Sequence, residues 1–482
     1  MNSIIRFVCV AMLLISCPAI ATAQKAGLSE SVERRADETW KIALQIWNFA
    51  EPGYQEVQSA KLLSDRLEQA GFVVKRGVAD IPTAFTATFG EGKPVIGIMG
   101  EYDALPGLSQ QAVPEQLPRA GATYGHACGH HMFGAASMSA AIALAEQIKS
   151  GQIRGTVRFY GCPAEEGGSG KTFMVRAGLF NDCDAALHWH PSGRTSAGDG
   201  SCLSRVAVKF RFRGKSAHAA GSPDQGRSAL DAVELTCHAA ELMREQTPDF
   251  TRIHHVITAG GGAPNVVPDF AEVFFYIRHP KSEVVKELYP RLLKCAQGAA
   301  IATDTKLEEM YLGGTMEILP NDTLSQVTMS NLRQLNDLKY TAEETQFAAR
   351  IHSTLTKPLP LESLAQVFDT SGDVGKGSTD VGDVSWVVPT AGFTTACYVP
   401  GTSAHSWQAV AAGGTSIGRK GMQLAARTMA ASAWDLFQQP QTLAAAKAEH
   451  ARRMGGRKYD PLLLPGQKPP LDYRDSPTGA ND

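Results

Sequence analysis

The chain has 482 residues, with 46 Lys and Arg against 48 Asp and Glu, and a formal net charge of -2 at pH 7. This length can bury a large core and predicts about two domains. The balanced charge and the lack of a basic stripe exclude nucleic acid as an expected partner.

The first 23 residues follow the order of a cleavable secretory signal. Arg6 precedes an apolar run over residues 7–15, and small residues at 21–23 (Ala-Thr-Ala) offer a cleavage site. Because the run is shorter than the ~20 residues that span a bilayer, we expect no transmembrane span after processing. The protein is therefore predicted to be exported to the periplasm. A lipoprotein anchored through Cys17 is the second interpretation.

The elements that follow alternate in the way typical of an α/β fold. Apolar residues at helical spacing predict two opening helices, and short apolar runs predict buried strands. The helices are predicted at residues 40–49, 57–70 and 132–148, and the strands at 83–89, 95–99, 156–160 and 185–188. The unbroken apolar run at 95–99 suits a strand buried on both faces.

From about residue 204 the order changes to βαββαβ, the split unit of a ferredoxin-like layer. The strands are predicted at 205–212, 253–258, 271–278 and 306–311, and the helices at 228–245 and 283–303. This order predicts a compact domain inserted into the first one. Sheet-like segments return around Val387 and at 394–399, a final helix is predicted at 418–437, and the tail from about residue 456 is predicted to be loosely ordered.

The strongest local signal is the segment 124–131 (YGHACGHH), just before the predicted long helix. Cys128 and His130 are two residues apart, so they can converge from an extended loop as metal ligands. A polar loop with a buried thiol and a Cys-His protease are the alternatives for this motif alone. The acidic and histidine segments further along the chain favour metal.

A second signal is the pair Glu165 and Glu166, which immediately follows an apolar strand. Loops at strand ends build the active sites of α/β proteins. A metal centre explains two adjacent carboxylates, because Glu166 can bind the metal while Glu165 serves as general base. The alternative is two solvated glutamates in a glycine-rich loop.

Further histidines lie at the ends of other predicted strands. We expect one of His188 and His190 to be a ligand, on the interpretation that the two side chains lie on opposite faces of the strand. His405, in the segment SAHSW at 403–407, would mean little alone. Together, one cysteine, at least three histidines and paired glutamates form the ligand set of a two-metal centre.

These residues resemble those of the co-catalytic metal amidohydrolases related to aminoacylase, auxin-conjugate hydrolases and carboxypeptidase G. Three more segments are similar to the aminobenzoyl-glutamate hydrolase B group: 51–56 (EPGYQE), 100–110 (GEYDALPGLSQ) and 377–386 (GSTDVGDVSW). The resemblance runs from about residue 33 to 447. It implies an α/β fold in which a mixed-sheet di-metal peptidase domain (24–203 and 315–455) carries an inserted ferredoxin-like dimerisation or lid domain (204–314), with a tail at 456–482.

The resemblance also implies a role for each motif residue. Two divalent metal ions, zinc or manganese, would be bridged by Cys128 and held by His130, Glu166, His405 and one of His188 and His190. Glu165 would be the catalytic base, and Asp103 would orient the cluster from behind the ligands. This chain departs from the family pattern at His131, where the family has Asp or Asn.

In the inserted domain the resemblance implies that His218 reaches a partner subunit's active site and polarises the scissile carbonyl. Asn265 would donate to the same oxyanion, and Arg278 would pair with a substrate carboxylate. A homodimer and a heterodimer with a related subunit both remain open. Without the resemblance, His218 is a loop histidine and Arg278 an edge-strand charge.

The expected reaction is hydrolysis of an amide bond in a small-molecule N-acyl or N-aroyl amino acid, such as p-aminobenzoyl-glutamate, by a metal-activated water with Glu165 as base. A dipeptidase or an indole-acyl amino acid hydrolase is the alternative within the enzymes. From another class, an exported ligand-binding protein without catalysis is also considered. The presence of Glu165, Glu166 and Cys128 argues against that last alternative.

Overall fold

The computed structural model describes residues 18–474 of the chain. Cys17 and most of the predicted leader lie outside the described residues, as do residues 475–482. Among the residues that are described, no helix combines the length and the apolar character needed to cross a membrane.

Helices and strands alternate along much of the chain. The helices are α1 (Pro18–Arg34), α2 (Ala36–Phe49), α3 (Val57–Gln69), α4 (His130–Lys149), α5 (Gly170–Arg176), α6 (Ala229–Arg244), α7 (Ser282–Thr303), α8 (Asp322–Leu335), α9 (Ala342–His352), α10 (Val381–Ser385), α11 (Trp407–Gly413), α12 (Ser416–Gln438) and α13 (Pro440–Met454). The strands are β1 (Val73–Arg76), β2 (Phe85–Glu91), β3 (Val95–Glu101), β4 (Leu105–Pro106), β5 (Tyr124–Gly125), β6 (Gly155–Cys162), β7 (Ala185–Ser192), β8 (Ser196–Ala197), β9 (Ser204–Arg213), β10 (Arg252–Ala259), β11 (Phe270–His279), β12 (Lys306–Thr315), β13 (Phe368–Asp369) and β14 (Thr390–Ala396).

The larger sheet has eight strands in the order β1-β2-β6-β3-β7-β14-β8-β13. Its centre, β6-β3-β7-β14, is parallel, whereas β1 and β2 are antiparallel additions at one edge. Every residue of β3 is buried, which explains its unbroken apolar sequence. Helix α4 is likewise buried from His130 to Ala145, because it packs inside the main hydrophobic core. The predicted mixed α/β sheet is confirmed.

The second sheet, here called the inserted sheet, consists of β10, β11, β9 and β12 in that order and is antiparallel throughout. With α6 and α7 it gives the predicted βαββαβ order. One face shares a core with both helices, including Val208, Phe210 and Leu292. On the other face Ala207 and Leu312 pack with residues of the larger unit, such as Tyr54 and Ala164. The predicted domain boundaries and the dimerisation role remain predictions.

Three local expectations were wrong. Val387 lies in a turn after α10, since Pro389 cannot donate to a ladder and β14 begins only at Thr390. The helix at 418–437 is not the last, because Pro440 occupies the first turn of α13. The tail is irregular but packed as far as it is described, and Tyr473 is only 3% exposed.

Candidate metal centre

The predicted site residues lie at one edge of the larger sheet. The parallel strands β3, β6, β7 and β14 all end there, so the loops that follow them come together. Glu165 and Glu166 follow β6, His190 lies near the end of β7, and His405 lies between β14 and α11. His130 is the first residue of α4.

The turn into α4 explains how Cys128 and His130 come to face the same space. Gly129 has φ 75°, a left-handed conformation that glycine adopts without strain. A Cβ at this position would lie 2.4 Å from Tyr398 Oη. We therefore infer that glycine is required between the two candidate ligands.

Two groups of potential metal ligands share the thiol of Cys128. The first consists of Cys128, His130 and His190, and the second of Cys128, Glu166 and His405, with donor atoms within 4.8 Å of one another in each group. The Sγ atom of Cys128 lies 3.4 Å from His190 Nε2. A donor shared by two such groups has the placement of a bridging ligand.

A third group, Glu101 with His130 and Glu165, was not expected. Glu101 Oε2 lies 3.1 Å from His130 Nε2, and Glu101 is only 1% exposed. The sequence did contain a signal, because Glu101 is two residues before Asp103 in the segment 100–110. It places a further carboxylate beside the candidate base Glu165.

The donor atoms themselves fit divalent metal ions. Glu101 Oε2, His130 Nε2 and Glu166 Oε1 are buried and have no aligned hydrogen-bond partner, although charged neighbours lie close by. A buried polar group without a partner costs roughly 1–3 kcal/mol. Coordination would satisfy these atoms, and thiolate, imidazole and carboxylate together suit a borderline metal.

The carboxylates of the two adjacent glutamates have opposite pKa directions in the metal-free chain. Burial raises the pKa of Glu165 well above its usual value, and the charges of Glu101 and Glu166 raise it further. Burial also acts to raise the pKa of Glu166, but the nearby His405 holds it at about 2. Two such groups with pKa values pushed apart are typical of one acid-base group beside one permanent anion.

Asp103 lies behind the ligands, as predicted. Its Oδ1 accepts a hydrogen bond from His130 Nδ1 at 2.8 Å, and its Oδ2 accepts one from the Glu166 backbone N–H at 2.9 Å. The first bond leaves His130 Nε2 directed at the cluster. Carboxylates in this position fix the tautomer and orientation of ligand histidines.

His190, and not His188, belongs to a potential ligand group in the described part of the chain. The interpretation that the two side chains lie on opposite faces was wrong, because residues two apart in a strand share a face. Both line one cavity of about 500 Å³. What separates them is distance along β7, roughly 7 Å for two residues. Burial lowers the pKa of His188 to about 3, so its ring is neutral.

His131, the departure from the family pattern, has a structural position. Its Nε2 donates to the Gly413 carbonyl oxygen at 3.0 Å, which links α4 to α11. The side chain is fully buried, and within residues 18–474 it joins none of the potential ligand groups.

His218 and Asn265 lie together, but both are exposed. The Nδ1 atom of His218 accepts from the backbone N–H groups of Ala220 and Gly221, at 3.2 and 3.0 Å. This assigns the ring hydrogen to Nε2, which is then a donor. The Ala219 N–H donates to the Asn265 carbonyl oxygen at 3.0 Å, so the two loops are joined. Among the described residues, neither side chain forms a hydrogen bond or ion pair with the ligand groups.

Arg278 lies at the margin of the metal centre. Its guanidinium is 5.4 Å from the ring centroid of Tyr276. Burial lowers its pKa and so does Arg205, while Glu165 and Glu166 act to raise it. These influences place Arg278 within electrostatic range of both glutamates.

A buried ion-pair network supports Glu101 and was missed by the sequence reasoning. Lys171 Nζ lies 2.5 Å from Glu101 Oε1 and 2.6 Å from Asp380 Oδ1, and its side chain is fully buried. Lys171 and Asp380 are 209 positions apart. The segment 377–386 attracted notice, but nothing in the sequence indicated that its aspartate pairs with this lysine.

The end of the described chain also contacts the catalytic loop. Tyr473 Oη donates to the Glu166 carbonyl oxygen at 3.1 Å, and Arg474 Nη2 donates to the same oxygen. The Tyr473 ring packs edge-on against Tyr54, with centroids 5.8 Å apart. The polar composition of this segment concealed these contacts.

Comparison with known proteins agrees with this arrangement. The sequence profile of Peptidase family M20/M25/M40 matches residues 97–429. The chain is 42% identical over 460 residues to the type B component of p-aminobenzoyl-glutamate hydrolase from Escherichia coli (strain K12), covering 90% of this chain and 96% of that protein. It is 28% identical over 444 residues to Xaa-Arg dipeptidase of Mus musculus, covering 88% and 91%.

The solved structure of an aminobenzoyl-glutamate utilization protein from Klebsiella pneumoniae has the same fold. The two structures superpose with a TM-score of 0.60 at 19% identity, covering 86% of this chain and 99% of that chain. From the extent of the profile match and the 42% identity, the chain belongs to Peptidase family M20/M25/M40 and is an enzyme, a hydrolase of the amidohydrolase kind.

Proposed function

We propose that the chain hydrolyses the amide bond of N-acyl or N-aroyl amino acids, with p-aminobenzoyl-glutamate as the first candidate substrate. The observation that carries this proposal is the thiol of Cys128, shared by two ligand groups next to the buried Glu165. The substrate follows from the 42% identical relative, which is named as part of a p-aminobenzoyl-glutamate hydrolase.

Two divalent metal ions, zinc or manganese, would be held by this chain's own side chains. The proposed ligands are Cys128, His130, Glu166, His190 and His405. When bound, such ions polarise a carbonyl oxygen and lower the pKa of water. Thiolate and imidazole favour zinc, while the carboxylates also admit manganese.

Glu165 is the proposed general base and acid. It is buried beside Glu101 and Glu166, and these surroundings raise the affinity of its carboxylate for a proton. Glu165 takes a proton from the attacking water and then returns it to the amine that leaves. Arg278 would hold the substrate carboxylate in a bidentate pair and so fix the amide at the cluster.

His218 and Asn265 are proposed to stabilise the oxyanion from a partner subunit. The support is their exposure, the free Nε2–H donor of His218 and the connection of the two loops. Preorganised donors of this kind stabilise charge that develops in the transition state. The partner would be a second copy or a related subunit, since the similar Escherichia coli protein is named as a subunit.

The mature protein is proposed to begin at Gln24, in the periplasm. The support is the order of charged, apolar and small residues in the first 23 positions. Mass spectrometry of the periplasmic fraction should give a chain starting at Gln24. Lipid on Cys17, or an intact leader, would contradict this.

The first test is release of glutamate from p-aminobenzoyl-glutamate by the purified mature chain loaded with Zn²⁺ or Mn²⁺. We expect turnover that requires both the metal and Glu165, with Glu165→Ala as control. Dipeptides form the second substrate set, because a 28% identical relative is named Xaa-Arg dipeptidase. Substrates bound and recovered unchanged by the metal-loaded chain would favour a binding role instead.

A further inference from the structure

The face of the inserted sheet that is turned toward the metal centre carries a row of positive charges. On β9 these are Arg205, Lys209 and Arg211, which alternate along the strand and therefore share a face. At the distant end, Glu272 lies 2.6 Å from Arg211 Nε and 3.5 Å from Lys209 Nζ. The cations at that end are thus paired with a carboxylate.

At the end near the metal centre the cations have no such partner. Arg205 is directly opposite Arg278 in the β9–β11 register, and neither forms an ion pair with an acidic residue in the range 18–474. Both guanidinium carbons lie over the ring of Tyr276, at 4.8 and 5.4 Å from its centroid. Like charges directly opposite on adjacent strands are destabilising.

A third guanidinium comes to this place from the far end of the chain. Arg474 contacts the Glu166 carbonyl oxygen, and a side chain built on Gly167 would lie 3.2 Å from Tyr276 Oη and 3.8 Å from Arg474 Nη2. Arg205 Nη2 donates to Ser169 Oγ at 2.9 Å. All three guanidiniums therefore border the loop that carries Glu165.

Each of the three arginines has an unsatisfied nitrogen. The Nε atoms of Arg205, Arg278 and Arg474 are buried and lack a hydrogen-bond partner among the described residues. Burying a charged donor without a partner is costly, and a carboxylate is the partner that matches a guanidinium geometrically. One substrate carboxylate, assigned above to Arg278, would leave two of the three unpaired.

We propose that Arg205 and Arg474, together with Arg278, bind the second carboxylate of a dicarboxylic leaving amino acid of the glutamate or aspartate type. This inference rests on the proposed function, because it takes the amino acid to lie between Arg278 and the metal centre. The inserted sheet, the catalytic loop and the C-terminal segment each contribute one wall of the site. A neutral side chain in the substrate would leave the guanidiniums without an anion.

The test compares N-(p-aminobenzoyl)-glutamate with N-(p-aminobenzoyl)-glutamine, which differ only in the second carboxylate. Binding is measured by calorimetry on the metal-loaded Glu165→Gln chain, and turnover on the metal-loaded unmodified chain. Charge-assisted hydrogen bonds predict that the glutamate compound binds about 10- to 150-fold more tightly. Arg205→Gln and Arg474→Gln should each reduce this preference, mainly by weakening the glutamate compound.

Arg213→Gln is the matched control. Arg213 lies on the same strand but pairs with Glu308, 3.4 Å away, so the preference should be unchanged. Arg474→Lys should retain part of the preference, because it keeps the charge. A merely structural role for Arg474 would weaken both compounds by the same factor, and that result would overturn the proposal.

The remaining outcomes separate this site from the reaction. Equal binding of the two compounds by the chain with all three arginines would overturn the site and leave amide hydrolysis intact. A preference for the glutamate compound without turnover of any N-acyl amino acid would overturn the proposed function and support the site. Failure of both compounds to bind the metal-loaded chain would overturn the site.

Discussion

The metal centre and the His218–Asn265 loops differ in how completely one chain builds them. The candidate ligands are largely enclosed, and their donor atoms lie within 4.8 Å of one another in each group. The two loops are exposed and contact each other without contacting the ligands. Parallel strands bring their ends to one edge of a sheet, whereas loops at the end of the inserted sheet project away from it. A single chain therefore supplies the ligands, but the oxyanion donors need a second subunit.

The largest expected effect comes from Glu165, on the complete side of this comparison. Glu165→Gln removes the general base, so kcat should fall by about 10²- to 10⁴-fold. Metal content, measured by plasma emission spectrometry, should not change because Glu166 and the histidines remain. A variant that loses its metal along with its activity would contradict a role confined to proton transfer.

The next effect tests the incomplete side. His218→Ala removes a donor to the oxyanion, and kcat should fall by about 10²- to 10³-fold at unchanged metal content. Mixing this variant with Glu165→Gln should restore activity, because each hybrid dimer has one site with both residues intact. If subunits are seen to exchange by native mass spectrometry and activity does not return, His218 does not act across the interface.

A smaller effect is expected at Asp103, which orients His130 and the Glu166 backbone through bonds of 2.8 and 2.9 Å. Asp103→Asn should weaken metal affinity or activity by about 10- to 100-fold. Competition with a chelator measures the affinity directly. Unchanged affinity and activity would show that the ligands hold their orientation without this carboxylate.

The smallest effect is expected at His188, which shares a face and a cavity with His190. His188→Ala should change metal content and kcat less than about threefold, whereas His190→Ala should lose metal from one site. The pair makes a matched control, since both substitutions remove a largely enclosed ring from β7. Equal metal loss in the two variants would contradict the assignment of His190 alone.

Much of the fold could be predicted because its signals are local. The buried run of β3 and the βαββαβ order of the inserted sheet depend on apolar periodicity, which is written in neighbouring residues. The end of α12 was also recognisable, but α13 was overlooked since Pro440 was taken as an end and not as a first turn. The packed segment around Tyr473 had no local signal at all.

The candidate site divides in the same way. Cys128, His130, Glu165 and Glu166 were predicted from adjacent residue types, because metal ligands and bases cluster within short loops. Which of two histidines faces the metal depends on where β7 ends, and the sequence reasoning also misjudged their faces. The partners of Lys171 could not be predicted, since the pairing joins positions 209 apart.

The sequence by itself determined the residue types of the metal centre, the strands that carry them and the presence of an inserted βαββαβ unit. Tertiary structure alone decided that Cys128 is shared by two ligand groups, that Lys171 supports Glu101, and that three arginines meet beside Tyr276. The physical reason is that periodicity and motifs are properties of neighbouring residues. The partner of a buried charge is chosen by the packing of segments that are distant in the chain.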